Sequence, residues 1–140
     1  ASTHQSPFYP GTGDAQDRGS GAGAGSMHNR PLAPGSGDAA FEAAWREELL
    51  PATEAFAPGA IVVSAGYDGH RDDPLAHLMI TEAGYRNVAT ALGSTAGRVG
   101  LPGVALALEG GYDLDALATS VAATVMGILA GLASERRRAP

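Results

Sequence analysis

Along this chain the apolar positions change period several times. The first 37 residues have no hydrophobic period, and within them Tyr9-Pro10-Gly11-Thr12-Gly13 and the Gly, Ser and Ala run from Gly19 to Gly25 read as loop. A structureless stretch that long in a compact domain points to a functional loop or to the edge of a larger unit. From Asp38, whose short carboxylate suits an N-cap, Phe41, Trp45, Leu49 and Phe56 return at helical spacing. Pro51 lacks an N–H and is expected to kink or divide that helix. After Pro58-Gly59 the run Ala60 to Ala65 is short, β-branched and unalternating, the pattern of a strand buried on both faces, and it ends at Gly66.

Thr81-Glu82 opens a second helix, in which Tyr85, Val88 and Leu92 share a face until Gly97 and Gly100. Val104 to Leu108 reads as another buried strand, closed by Glu109-Gly110-Gly111. Asp113 caps the last helix, where Leu114, Leu117, Val121, Val125, Ile128 and Leu132 step by three or four, and Gly127 and Gly131 would let it lie close to a sheet. The uncharged stretch Ala116 to Ala133 includes Thr119, Ser120 and Thr124 among many Ala and Gly, so it reads as a buried soluble helix and not a membrane span. The order helix, strand, helix, strand, helix implies parallel strands joined by helical crossovers. Two convincing strands, or three if Ala1 to His4 ends another, are too few for a parallel sheet covered on both faces. The chain therefore reads as the C-terminal part of a larger α/β domain, one unit over 1–140, loop-rich over 1–37 and alternating over 38–134.

Composition narrows the chemistry. The 140 residues bound the chain to one domain at most, and with about a third of them Ala or Gly the core is thin. The absence of Cys removes disulfide scaffolds, thiolate zinc sites and cysteine nucleophiles, so any metal must be held by His, Asp or Glu. The net charge of −6 comes from 15 acids against 9 Arg, three of them in the tail Arg136-Arg137-Arg138, which argues against binding nucleic acid directly. No secretory signal pattern is visible at the start, and no membrane partner is expected; the expected location is cytoplasmic.

In open parallel sheets ligands gather beyond the carboxyl ends of the strands. Two polar clusters fall there, Tyr67 to Pro74 after the first strand and Glu109 to Asp113 after the second, and neighbouring parallel strands would bring them together. Asp68 leaves a buried strand, where an unpaired carboxylate is costly, so it should meet a metal, an Arg or backbone donors; capping a turn is the equally weighted alternative. His70 reads as a surface or hydrogen-bonding residue in preference to a metal ligand, since a ligand needs companions, and Asp72 and Asp73 read as turn and helix-start residues. His4, His28 and His77 carry no ligand spacing. Tyr112 follows two glycines that permit close approach of a ligand and could donate to a developing oxyanion, although a turn tyrosine is more often a packing residue.

The segments Ser64-Ala65-Gly66-Tyr67-Asp68-Gly69-His70-Arg71-Asp72-Asp73-Pro74-Leu75 and Leu108-Glu109-Gly110-Gly111-Tyr112-Asp113-Leu114 resemble the two C-terminal signature motifs of the histone deacetylase and acetylpolyamine amidohydrolase family, in its bacterial class II-like form. His4 to Gly13 and Pro31 to Asp38 are similar to the family's segments at the same positions, so the resemblance is collinear over essentially the whole chain. It implies the C-terminal part of an arginase-like, three-layer α/β domain around a parallel sheet. It also implies hydrolysis of acetyl amides with a divalent metal, usually Zn²⁺, held by an Asp-x-His pair and a second Asp. By motif position the second Asp is Asp68, and the transition-state tyrosine is Tyr112. In the implied mechanism the metal polarises the acetyl carbonyl and activates water, a His pair moves protons, and the phenol helps to hold the oxyanion.

The same resemblance assigns Tyr9, Leu75, Gly110 and Gly111 to the substrate tunnel, and Ser2 and Thr3 to a segment that in relatives binds a structural monovalent cation, K⁺. A Glu at the position of Leu75 marks some polyamine-specific relatives; its absence here leans toward acyl-lysine or another neutral acyl amide, with acetylpolyamines still open as substrates. The family's His pair and Asp-x-His ligands lie upstream of the residues matched, and none of the four His fits them. One of three metal ligands is therefore expected, and no activity from this segment alone. Two other readings stand beside this one: a non-catalytic interaction module or pseudoenzyme derived from the family, and a phosphate-cradling loop at Glu109-Gly110-Gly111-Tyr112, which lacks the usual glycine spacing.

Overall fold

The computed structural model describes residues 1–138. Among these, four strands and four α-helices follow one another as β1 (Ser2–Gln5), β2 (Asn29–Leu32), α1 (Asp38–Ala44), α2 (Leu50–Phe56), β3 (Val62–Ala65), α3 (Glu82–Arg98), β4 (Ala105–Leu108) and α4 (Leu114–Arg138). The strands pair in parallel as two separate ribbons, β1 with β2 and β3 with β4. In the second ribbon Val62 faces Ala105 and Ala65 faces Leu108, so both strands end level and their following loops leave side by side. The expected third strand at the start of the chain is β1. Its partner β2, Asn29-Arg30-Pro31-Leu32, was not expected, because a polar segment holding a proline carries no strand signal.

The first helix is divided just ahead of Pro51. A π-helical turn over Trp45–Leu49 separates α1 from α2, with the Leu50 N–H donating to the Trp45 carbonyl. The wider turn accommodates a ring that cannot donate and that would press on the carbonyl one turn back. Gly37, not Asp38, is the N-cap of α1. Asp38 instead accepts hydrogen bonds from the Thr81 N–H and Thr81 hydroxyl, both at 2.7 Å, and so ties the start of α1 to the start of α3. Thr81 in turn caps α3 by accepting from the Ala83 N–H at 3.2 Å. Asp113 caps α4 by accepting from the Ala116 N–H at 2.8 Å.

The core has two parts. One gathers Leu32, Phe41, Tyr67, Leu78, Ile80 and Tyr85 between α1, α3 and the loop after β3, with Phe41, Tyr85 and Tyr67 stacked edge to face. The other is the contact of α3 with α4, around Ala89, Ala96, Ile128 and Leu132. The glycines of α4 meet this helix and not a sheet: a Cβ on Gly127 would lie 2.6 Å from the Arg86 carbonyl oxygen, one on Gly131 would strike the Thr90 carbonyl, and one on Gly93 the Ile128 carbonyl. Accordingly the buried stripe of α4 is Ala116, Ser120, Gly127, Ile128, Gly131 and Leu132. Leu114 and Val125, expected on the buried face, are exposed, since small residues set the close approach and rotate the larger ones outward. Helix α4 is long and apolar enough to cross a membrane by length and composition, and here its small-residue face is packed against α3.

Strands β3 and β4 are covered on one face only. Val62, Ser64, Ala105 and Ala107, which share one face, are all exposed, where burial on both faces was expected. Their other face, which carries Val63 and Ala65, borders a cleft of about 1100 Å³ that runs between the two ribbons and is lined by Leu32, Phe41 and Ile128 among others.

Candidate functional site

The site lies where β3 and β4 end. Beyond their last paired residues the ladder continues, with the Glu109 N–H donating to the Ala65 carbonyl at 3.1 Å and the Tyr67 N–H to the Gly110 carbonyl at 2.8 Å. This brings Asp68 against the backbone of the second loop. A Cβ on Gly110 would stand 3.0 Å from the Asp68 carboxyl carbon, and one on Gly66 would stand 3.2 Å from its Oδ1. A side chain at either position would press on the carboxylate. Gly111 adopts a φ of 136°, which favours glycine, and turns the chain toward Tyr112.

Burial pushes the Asp68 carboxyl above the usual carboxylate range; its own backbone N–H opposes the shift and the charge of nearby Asp73 adds to it. The same cluster acts on Tyr85, whose phenol is pushed far above its ordinary value, first by burial and then by the charge on Asp68. Tyr85 was expected as a core residue of α3 and is one, but it also closes the floor beneath the Asp68 loop, with its hydroxyl near Gly69.

Asp73 is buried, and both of its oxygens are engaged. Oδ1 accepts from the Leu75 N–H at 2.9 Å, while Oδ2 accepts from the Tyr112 N–H at 2.7 Å and the Asp113 N–H at 3.4 Å. It is a turn residue as expected, and in addition it fastens one strand-end loop to the other. His70, expected as a surface or hydrogen-bonding residue, is 1% exposed and is of the second kind. Its Nδ1 accepts from the Asp72 N–H at 3.2 Å, and its Nε2, which lacks a hydrogen-bond partner among the described residues, faces Glu82 Oε1 at 3.6 Å at the start of α3. It braces the loop from beneath. No local pattern announces such burial, since it depends on α3 packing across the loop.

The remaining expected residues are placed as follows. The Tyr112 side chain is exposed, as are Tyr9 and Leu75. Tyr9 lies in the loop after β1, which reaches the loop after β3 through Phe8, packed edge-on to His77 at 6.5 Å, and through the His77 N–H donating to Gln5 Oε1 at 2.6 Å. Tyr9, Asp68 and Gly110 all border the cleft between the ribbons. Ser2 and Thr3 lie in β1, away from these loops: the Ser2 hydroxyl meets His4 Nδ1 at 3.2 Å, and the Thr3 hydroxyl accepts from Trp45 Nε1 at 3.1 Å.

For a divalent metal, Asp68 is a suitable single donor, because a cation would offset the cost that burial places on its charge. Among the described residues no group of three His, Asp or Glu side chains could hold an ion. Asp68 thus fits as one member of a larger ligand set and does not form a site by itself.

Comparison with known proteins agrees with this architecture. The family model for the histone deacetylase domain matches residues 1–128. The chain is 44% identical to histone deacetylase 14, chloroplastic, of Arabidopsis thaliana over 96% of its own length and 32% of that protein's. It is 39% identical to a probable deacetylase of Archaeoglobus fulgidus over 94% of its length and 36% of that protein's. It superposes on the acetylpolyamine aminohydrolase of Burkholderia pseudomallei with a TM-score of 0.81 at 32% identity, covering 92% of this chain and 37% of that one. It spans about a third of the length of each of these two curated relatives. With its parallel α/β strands, its two strand-end loops and this match over most of its length, the chain belongs to the histone deacetylase domain family.

Proposed function

We propose that this chain is the part of a metal-dependent deacetylase domain that supplies one metal ligand and the oxyanion donor, and that the complete domain hydrolyses acetyl-lysine or a similar acyl amide. The observation that carries the reading is the meeting of the two strand-end loops, with the Asp68 carboxylate seated on Gly110, two residues before Tyr112. In this reading Asp68 is held in place as a ligand of a divalent ion, Zn²⁺ by resemblance, which when bound would supply Lewis-acid activation of the acyl carbonyl and of water. Gly110 and Gly111 keep the floor of the site free of side chains, so that the acyl group can approach the backbone. The Tyr112 hydroxyl donates a hydrogen bond to the oxyanion of the tetrahedral intermediate. Tyr9 and Leu75, exposed at the same end of the strands, line the approach of the acyl-bearing chain, and Ser2 and Thr3 belong to a K⁺-binding segment remote from the reaction.

Removing one oxyanion donor costs about 10²–10³ in rate. Tyr112→Phe in the complete domain is therefore expected to lose most acetyl-lysine hydrolysis while retaining its metal content. A variant with unchanged turnover in a fluorogenic assay would refute the assignment. The isolated 140-residue chain is expected to show neither turnover nor firm metal binding. A non-catalytic role would instead be indicated if the complete domain binds metal and remains inert toward acyl amides.

A further inference from the structure

Asp73 makes contacts that no turn requires. A buried carboxylate in a simple turn would satisfy itself locally, as Oδ1 does with Leu75. Its other oxygen reaches 39 residues along the chain to the Tyr112 N–H at 2.7 Å, and then to the Asp113 N–H at 3.4 Å. The segment that it grips needs holding. Gly110 and Gly111 precede Tyr112, Gly111 lies at a φ of 136°, and the Tyr112 side chain is 57% exposed, so packing does not fix the phenol. Charge-assisted bonds from backbone N–H groups are about twice as strong as neutral ones. We propose that Asp73 is a positioning residue for catalysis, a latch between the loops after β3 and β4 that holds the Tyr112 backbone so that its hydroxyl meets the oxyanion. This rests on the reading of Tyr112 given above.

Asp73→Asn is the sharpest probe. It preserves shape, but the amide has one accepting oxygen where the loops use two, and its NH₂ would confront either Leu75 or Tyr112. In the complete domain it is expected to lower kcat about 10- to 100-fold, as a misplacement near 1 Å does, with KM little changed. Combined with Tyr112→Phe it should cost little more, because both act through one hydroxyl. Amide exchange at Tyr112 and Asp113 should quicken while that of α3 holds. In the unmutated protein the Tyr112 amide should already be protected despite its exposed side chain, and fast exchange there would overturn the latch even if the variant failed to fold. Full activity of Asp73→Asn beside a dead Tyr112→Phe would overturn the latch and leave the deacetylase reading standing. So would an equal loss in the Tyr112→Phe background, or loss of protection throughout α3, either of which would mark a structural role only. Full activity of Tyr112→Phe would overturn both.

Discussion

Arg98 is the residue on which three helices close. At the end of α3 its guanidinium binds Glu54 of α2 through Nε at 3.0 Å and Nη2 at 2.7 Å, and stands 3.9 Å from Glu135 of α4. The hydrogen bond from Arg98 holds the Glu54 carboxyl below its ordinary value. A depressed carboxylate contributes stability above its unfolded pKa and loses it as pH falls through the folded one. Both partners are more than a third exposed, so screening limits the pair to about 0–1 kcal/mol. Glu54→Gln should therefore lower the denaturation midpoint slightly at pH 7, and this difference should vanish in acid below the Glu54 titration and shrink in molar salt. Single residues also mark how far the sequence could be read. Asp68 and Tyr112 are legible because a motif surrounds them. Asp73, Asp38 and His70 are not, because a donor 39 or 43 residues away, or an α-helix lying across a loop, leaves no trace in local spacing.

At the scale of elements, period and punctuation located α3, β3, β4 and the start of α4 to within two residues, since long periodic helices and short β-branched runs are strong signals, but α4 continues to Arg138, past the expected limit at 134. They placed Ile128 and Leu132 on the buried face of α4 correctly, but also Leu114 and Val125, which are exposed. Hydrophobic stepping favoured the large residues, whereas a close crossing of two helices selects small ones, and Gly93, Gly127 and Gly131 take the contact. The two effects can be set against each other in Gly131→Ala. The substitution gains about 1 kcal/mol in helix propensity, but the new methyl strikes the Thr90 carbonyl, and overpacking costs about 1–3 kcal/mol. Because the opposing atom is backbone and cannot rotate away, net destabilisation is expected, read as a lower urea midpoint.

Taken whole, the molecule exposes large apolar side chains on several elements. Val62, Leu108, Phe56 and Leu129 are each at least 60% exposed, and the cleft between the ribbons is wide. Large apolar side chains exposed beside such a cleft are expected to meet another part of the complete domain. The isolated chain is expected to enhance the fluorescence of an apolar dye such as ANS, and the complete domain to do so far less; equal dye binding by both would contradict this view of the cleft. The level ending of β3 and β4 bears on how the sequence can vary. A strand advances about 3.3 Å per residue, and a slip by one turns every side chain to the opposite face. One residue added between Val62 and Asp73, or between Ala105 and Asp113, would lift Gly110 off Asp68 and carry Tyr112 out of reach of Asp73. Insertions should therefore be tolerated where α3 turns back at Val99 to Gly103 and refused within these two short spans, whose lengths are as binding as their residues.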